Sequence, residues 1–411
     1  MPGSRARCVL LALVLLLLPA LGHAQPRRLA IFDLANDTGD PALDWVGAAL
    51  SVSLRERLGA LGALELLGPR PASPVSRDRA AAGALEPLLR RARAVGAEQA
   101  LLGRYTRAGS RLRVEARVVD VASALTVSVA THDAPESDTA AAFTRIGDAI
   151  LDAALDALAA RSVPGSIEPL TVVRGARPPL APHEARLAAQ PWTLERAATE
   201  TLGRAVAAFD DGRREDAISD LERVTAGGGA PATVWLLLGA ARAQRGDCAR
   251  AAPALERTLE WSHRQGHVRA EIMSRYRIAS CLAEAADDHG AVAALEEIRR
   301  RAAAVGYVSV EIWALHAAGV AHERAGRADE ALAAWRESAR LAERTGDAAQ
   351  QAGVLPRIAT MLYRQAKFGE ALVVAGRAAE LAEAAEQADD RIAALALMGL
   401  AEDAQGRRAQ G

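Results

Sequence analysis

Three stretches of the sequence share one pattern: Arg245-Gly-Asp-Cys-Ala-Arg-Ala251, Ala325-Gly-Arg-Ala-Asp-Glu-Ala-Leu332 and Ala366-Lys-Phe-Gly-Glu-Ala-Leu372. Each joins a turn-like segment to the first turn of a helix. Alignment on the alanine near the end of each stretch extends the series to Ala217, Ala251, Ala291, Ala331 and Ala371. The spacings are 34, 40, 40 and 40 residues. A nearly constant period of this length predicts a helical repeat protein.

A small residue recurs twelve positions before each of these alanines: Ala205, Gly239, Ala279, Gly319 and Ala359, and the same step leads to Gly399. Small side chains allow helices to cross closely. One helix pair cannot bury its apolar face alone, so neighbouring pairs stack into a superhelix. The composition agrees, because 50% of the residues are hydrophobic but only 3% are aromatic. We therefore predict five helix pairs over residues 194–411, with a capping helix near Asp390 to Gln405.

The segment Trp235-Leu-Leu-Leu-Gly239, followed by Gly246, Ala251 and Leu255, resembles the start of a tetratricopeptide repeat. The resemblance implies a concave surface lined by the first helix of each pair. The inward positions of that family fall here on Phe209, Tyr276, Trp313, His316, Arg324, Tyr363 and Arg364. Aromatic and arginine side chains anchor protein partners, so this set is the predicted partner-binding groove. Ordinary helix packing is the alternative, and we expect it for Trp235 and Trp335.

Residues 27–160 mix strand and helix patterns in the order β-α-β-α-β-β-β-α, with the second helix at Asp78 to Val95. Asp40 and Pro41 predict the start of the first helix. Residues 111–118 alternate polar and apolar side chains, as in a sheet with one solvated face. The pattern predicts an α+β sandwich domain. The proline-rich residues 161–193 are predicted to link it to the repeats.

The run from Leu29 to Gly47, with its Gly39-Asp-Pro41 turn, is similar to the opening of TolB amino-terminal-like domains of bacterial envelope proteins. The runs Leu101 to Tyr105 and Leu112 to Asp120 are similar to later strands of that family. The resemblance covers about 130 residues. It implies a domain that docks to an envelope assembly component, and it implies no shared reaction.

The first 24 residues have the pattern of a signal peptide. Arg5 and Arg7 precede an apolar run from Val9 to Leu18, and Ala24 ends a small-residue cleavage motif. An uncleaved anchor is the alternative, although the run is short for a membrane span. We predict cleavage after Ala24, export to the periplasm and a mature chain without a transmembrane span.

Two cysteines, Cys248 and Cys281, remain after the predicted cleavage. Cys248 begins one predicted helix and Cys281 lies late in the next. In an antiparallel pair the two residues therefore face each other. An oxidising compartment favours a disulfide between them, and two buried free thiols are the alternative.

The sequence gives no indication of catalytic, metal or cofactor chemistry. His263 and His267 are four residues apart, a spacing that suits a metal, but Gly266 places them near a turn and we expect surface histidines. A formal net charge of −1 lacks the basic excess that nucleic-acid binding needs. Common catalytic motifs do not occur, so we predict no cofactor and no enzyme activity, with an unrecognised enzyme as the open alternative.

These patterns together favour an exported interaction scaffold of the cell envelope. The repeat groove holds a protein or peptide partner, and the α+β domain docks to an envelope component. The alternative is a small-ligand or cell-wall-glycan binding protein that uses the α+β domain. That alternative requires a closed pocket lined by Trp45 and Tyr105.

Overall fold

The computed structural model describes residues 25–68, 85–135, 138–161, 173–174, 177–284 and 288–406. It confirms the predicted fold class, an N-terminal mixed-sheet domain followed by a superhelix of helical repeats. The predicted signal peptide and the predicted helix start at Asp78 lie outside the described residues. Within the described ranges, no helix combines the length and the apolar character needed to cross a bilayer.

One mixed sheet forms the centre of the α+β domain. Its strands are β1 (Arg27–Ile31), β2 (Ala35–Asn36), β3 (Leu64–Leu67), β4 (Gln99–Ala108), β5 (Arg111–Asp120) and β6 (Thr126–Pro135). Their order is β3-β1-β4-β5-β6, and β2 pairs with β4. β1 is parallel to both neighbours, whereas β4, β5 and β6 form an antiparallel meander. The alternation on β5 buries Leu112, Val114, Ala116 and Val118, in agreement with the sequence pattern.

Helices α1 (Trp45–Leu58), α2 (Leu85–Ala94) and α3 (Thr139–Ala159) cover the two faces of this sheet. A short 3-10 helix, Pro41–Leu43, precedes α1, and the Asp40 carboxylate caps it by accepting from the N–H of Ala42. α1 and α3 share one apolar cluster with Ile31, whereas Leu89 of α2 packs on the opposite face. α1 is buried on almost every side, because the sheet lies on one side of it and the first repeat on the other.

Part of the segment predicted as a linker is folded. Strands β7 (Ala160–Arg161) and β8 (Val173–Arg174) pair with each other, and helix α4 spans Pro182–Ala188. Trp192 packs against Phe143 with ring centroids 5.8 Å apart, and its indole N–H donates to Thr199 Oγ1 at 3.1 Å. The proline content does not reveal this packing, because the partners of Trp192 come from both domains.

Antiparallel helix pairs build the second half of the described chain. The pairs are α5 (Arg196–Asp210) with α6 (Arg214–Ala226), α7 (Ala232–Gln244) with α8 (Cys248–Gln265), α9 (Val268–Glu284) with α10 (Asp288–Ala304), α11 (Val308–Arg324) with α12 (Ala328–Arg344), and α13 (Ala348–Arg364) with α14 (Phe368–Ala384). Helix α15 (Ala388–Ala404) packs on the last pair. The alanines that define the period are at most 2% exposed, so they occupy the helix crossings.

Trp335 on α12 fits against Gly319 on α11. Its ring is fully buried, and its indole N–H donates to the carbonyl of His316 at 3.1 Å. Trp235, the other tryptophan expected to pack in the core, is only half-buried, and the Arg257 guanidinium lies 4.6 Å from its ring centroid. The close crossing of α11 and α12 thus requires a residue without a side chain at position 319, because a Cβ there would overlap the Trp335 ring.

Arg28 on β1 joins the α+β domain to the repeats. Its guanidinium donates to the Thr345 carbonyl at 2.6 Å and lies 3.3 Å from Asp347 Oδ2. In its own domain it donates to the Gly96 carbonyl at 3.0 Å and lies 3.6 Å from Glu65 Oε2. Arg28 is only 6% exposed. Loss of one partner leaves a buried charge uncompensated, so this network fixes how the domains dock.

Equivalent positions of three successive repeats contact the α+β domain. Arg269, Ser309 and Ala349, each the second residue of the first helix in its pair, lie 40 residues apart. Arg269 donates to the Gly62 carbonyl at 3.0 Å, and the N–H of Ser309 donates to Glu65 Oε1 at 2.7 Å. Ala349 belongs to the apolar cluster around α2. The 40-residue period of the superhelix therefore also sets the spacing of its contacts with the α+β domain.

Cys248 and Cys281 form a disulfide with their Cα atoms 5.4 Å apart. Cys248 is the first residue of α8, and Cys281 lies in the last turn of α9. Because α8 and α9 are antiparallel neighbours, the start of one lies beside the end of the other. The bond joins the second helix pair to the third.

Gly319→Ala is expected to destabilise the protein by about 1–3 kcal/mol, because the added Cβ overlaps the Trp335 indole. Gly399→Ala is the matched control, since an added Cβ at this equivalent position meets no atom within 4 Å. Replacing a helical glycine by alanine stabilises by about 0.5–1 kcal/mol where there is room. Urea unfolding followed by circular dichroism measures both variants. Equal changes in the free energy of unfolding in the two variants would contradict the role assigned to Gly319.

Thiol titration of the unfolded, unreduced mature chain is expected to find no free thiol. A variant with both Cys248→Ser and Cys281→Ser is expected to lose about 3 kcal/mol of unfolding free energy, because the bond closes a loop with a sequence separation of 33. Two titratable thiols per chain would show that the disulfide is not formed.

Candidate functional site

A cavity of about 1580 Å³ lies between the α+β domain and the repeats. Its walls come from the β1–β2 segment and α1 on one side and from the first helices of all five pairs on the other. Pockets for drug-sized ligands are usually about 300–1,000 Å³. The cavity therefore has room for a larger ligand, such as a segment of polypeptide.

Five of the seven residues predicted to form the groove line this cavity. They are Phe209, Tyr276, Trp313, His316 and Arg324. Tyr363 and Arg364 do not line it. The Tyr363 ring packs against Phe368 at 5.3 Å, and Arg364 pairs with Glu323 at 2.5 Å. The five cavity residues come from the first, third and fourth pairs, whereas Tyr363 and Arg364 of the fifth pair make local contacts.

An aromatic wall marks the repeat side of the cavity. The rings of Tyr276 and Trp313 lie 5.9 Å apart at an interplanar angle of 38°. The Arg277 guanidinium lies 5.6 Å from the Tyr276 ring centroid, and all three side chains are half-buried. Such a surface offers apolar area and cation–π contacts to a ligand.

Two arginines that sequence analysis did not identify line the cavity where the domains meet. Arg55 on α1 donates to the Ile31 carbonyl at 2.7 Å. Arg269 lies with its guanidinium 5.5 Å from the Tyr307 ring centroid. Burial lowers the pKa of both groups below the usual arginine value. Docking brings the two residues into one cavity from positions more than 200 residues apart in the sequence, so no local motif predicts their proximity.

Glu56 on α1 is the acidic group most affected by this environment. Burial raises the pKa of its carboxyl to about 7, and the nearby Thr233 hydroxyl and backbone N–H groups of Ala232 and Thr233 oppose that shift. Its Oε2 atom is buried without a hydrogen-bond partner. The carboxyl is therefore near half-protonation at neutral pH and retains an unused polar atom beside the cavity.

His267 lines the cavity as a neutral imidazole. Burial lowers its pKa to about 4, and its Nδ1 accepts from the N–H of Ala270 at 3.2 Å. His263 is exposed and lies 3.8 Å from Glu271. Searching the described part of the chain finds no cluster of three or more histidine, cysteine or acidic side chains arranged to hold a metal.

Trp45 and Tyr105, on which the small-ligand alternative depends, are packing residues. Trp45 stacks on Phe143 with centroids 6.2 Å apart and contacts Gly203 of the first repeat. Tyr105 is fully buried, and its O–H donates to the Leu43 carbonyl at 2.8 Å. Neither side chain lines the cavity between the domains.

No protein-family model matches the sequence, and no curated protein matches it either. Among solved structures, the chain is similar to a Rap protein complexed with competence and sporulation factor, at 12% identity and a TM-score of 0.45 over 52% of this chain and 64% of that one. It is also similar to NprR in complex with its cognate peptide NprX, at 15% identity and a TM-score of 0.44 over 52% and 63% of the chains. A third similar structure is a signal transduction ATPase with a tetratricopeptide repeat sensor from Pyrococcus horikoshii, at 14% identity and a TM-score of 0.43 over 52% and 35%. The chain spans less than two thirds of the length of each of these proteins.

The unfolding free energy is expected to fall as pH rises from about 4.5 to about 7, because the folded-state pKa of Glu56 lies above its unfolded value. Below this window Glu56 is protonated in both states, and above it the folded state contains a buried carboxylate. Glu56→Gln is expected to remove up to about 3 kcal/mol of this pH dependence. Denaturant titrations at pH 5 and pH 8 measure this change in unfolding free energy. A difference of one pKa unit between the folded and unfolded states corresponds to ~1.4 kcal/mol.

Glu256→Gln, on an exposed carboxyl of α8, is the control for the effect of the substitution itself. A Glu56→Gln profile that follows the unmodified protein would contradict the raised pKa.

Proposed function

We propose that the protein is an exported interaction scaffold of the bacterial cell envelope that binds a peptide segment in the cavity between its domains. The observation that carries this proposal is the aromatic wall of Tyr276 and Trp313 inside a cavity of about 1580 Å³. Aromatic side chains in concave, largely desolvated sites supply much of the binding energy in protein interfaces.

The arrangement of the domains favours a peptide segment over a folded partner. The α+β domain contacts the repeats at Arg269, Ser309 and Ala349 and so occupies one side of the superhelix. Because the cavity lies between the two domains, an extended segment fits it better than a folded domain does. The proposed mechanism is binding alone, with no residue assigned to catalysis.

The location of the protein is part of the same proposal. The signal-peptide pattern of residues 1–24 supports export. The disulfide between Cys248 and Cys281 is compatible with an oxidising compartment such as the periplasm. The resemblance of residues 27–160 to TolB amino-terminal-like domains supports an envelope component as a second partner, bound by the α+β domain.

Trp313→Ala is expected to weaken peptide binding at least about tenfold, because it removes half of the aromatic wall. Peptides selected from a random display library on the full mature chain serve as probes, and calorimetry measures their affinity. Tyr363→Ala is the matched control, since Tyr363 is an aromatic residue on the first helix of a pair outside the cavity.

Unchanged affinity in Trp313→Ala would contradict binding at this wall. An equal loss in Tyr363→Ala would also contradict it, and thermal unfolding of both variants separates lost binding from lost folding. A library that yields no binder would overturn the proposed function.

A further inference from the structure

Helix α15 has the sequence of a first helix, but no described helix covers the face on which a second helix packs. Its residues continue the 40-residue period, so Ile392 is equivalent to Ile272, Ile312 and Ala352. Those three residues are 0% exposed, and each clusters with side chains of the second helix in its own pair. Ile392 is 65% exposed. The position that the earlier pairs bury completely is therefore open on α15.

Leu395 extends this exposed surface by one turn. The equivalent Leu315 is 5% exposed and clusters with Leu341 of its second helix, whereas Leu395 is 48% exposed. Residues three and four apart lie on one face of a helix, so Leu395 and Ile392 are neighbours on the surface. The two side chains form a continuous apolar patch.

Gly399 is a notch beside this patch. It is equivalent to Gly319, against which Trp335 of the second helix packs in the fourth pair. A Cβ added at Gly399 meets no atom within 4 Å. Ile392, Leu395 and Gly399 together are called the open face of α15. Terminal repeats of helical arrays need a polar outer face for solubility, so an apolar open face indicates a site for a further helix.

The open face is complementary to itself when two copies of α15 pack antiparallel. The second helix of each pair is antiparallel to the first, and a twofold axis can relate two identical helices in the same way. With that axis between Leu395 and Ala396, Ile392 of each copy faces Gly399 of the other, and Leu395 faces Ala396. A large side chain thus meets a small residue at each contact, as Trp335 meets Gly319 in the fourth pair.

The charges beside the open face favour the same arrangement. Arg391 and Glu402 are eleven residues apart, close to three full turns, so they lie along one edge of α15. In the antiparallel pair Arg391 of each copy lies beside Glu402 of the other, whereas a parallel pair brings like charges together. Within its own chain Arg391 lies 3.6 Å from the exposed Glu383, and such surface contacts contribute little.

The acidic ends of α15 oppose this association only weakly. Asp389 and Asp403 are exposed and lie beyond the apolar centre of the open face. Repulsion between exposed charges is small in water and is screened by salt.

We propose that two copies of this chain associate end to end, with α15 of each copy in the second-helix position on α15 of the other. The inference does not depend on the proposed function, because the open face lies outside the cavity between the domains. Stable protein interfaces bury about 1,200–2,000 Å² in total, and one face of a single helix provides less than a permanent dimer needs. The dimer is therefore reversible and depends on protein concentration.

Sedimentation velocity of the full mature chain, from about 1 to about 200 µM, is expected to show a monomer–dimer equilibrium. Ile392→Asp is expected to weaken association at least about tenfold, because it places a charge at the centre of the contact. Val373→Asp on α14 is the matched control. Val373 is 74% exposed, and the equivalent Ala333 is exposed even where the next pair is present, so this position lies outside the stack.

A chain that remains monomeric over the whole concentration range would overturn the proposal. Unchanged association in Ile392→Asp, or an equal loss in Val373→Asp, would also overturn it. Circular dichroism of both variants separates lost association from lost folding. The concentration dependence of the unmodified chain remains decisive even if a variant fails to fold.

A charge exchange tests the antiparallel orientation. Arg391→Glu is expected to weaken association about fivefold, because it places two carboxylates side by side at both ends of the contact. Adding Glu402→Arg to that variant is expected to restore the affinity of the unmodified chain. A double variant that associates no better than Arg391→Glu alone would overturn the antiparallel pairing of α15.

Discussion

The buried contact of Arg28 with Thr345 and Asp347 holds the α+β domain against the repeats. One side chain from the first strand inserts between the α+β domain and the turn that precedes the fifth helix pair. Its charge is tolerated there only because carbonyls and carboxylates from both domains surround it. The position of α1 against the repeats, and therefore the shape of the cavity, depends on this docking.

Docking changes what the repeats offer to a partner. A superhelix by itself presents an open groove, whereas here the α+β domain closes one side of it. The repeats supply the aromatic side chains of Tyr276 and Trp313, and α1 supplies Arg55 and Glu56. Neither half contains the complete cavity, so the cavity is a property of the docked pair.

The sequence predicts the parts of this molecule that depend on local spacing. The period of the alanines indicates the helix pairs, because each crossing requires a small residue at a fixed position. The resemblance to tetratricopeptide repeats implies inward positions on the first helices, and five of those residues line the cavity. Tyr363 lies outside the cavity, where its ring packs against Phe368 within its own helix pair. Arg55 and Arg269 were not predicted, because they come together in one cavity only after two distant segments dock. The packing of Trp192 was not predicted for the same reason.

The hydrogen bond from Arg28 to Thr345 joins residues 317 positions apart in the chain. During synthesis the first strand therefore emerges from the ribosome long before Thr345 and Asp347 exist. Contacts of such long range form slowly, because a large loop must close before they contribute. The contacts within each helix pair join residues that are close in sequence. The contact of Arg28, in contrast, requires residues as far along the chain as Asp347. The first strand therefore makes its contact with the repeats only after the chain as far as Asp347 has been synthesised.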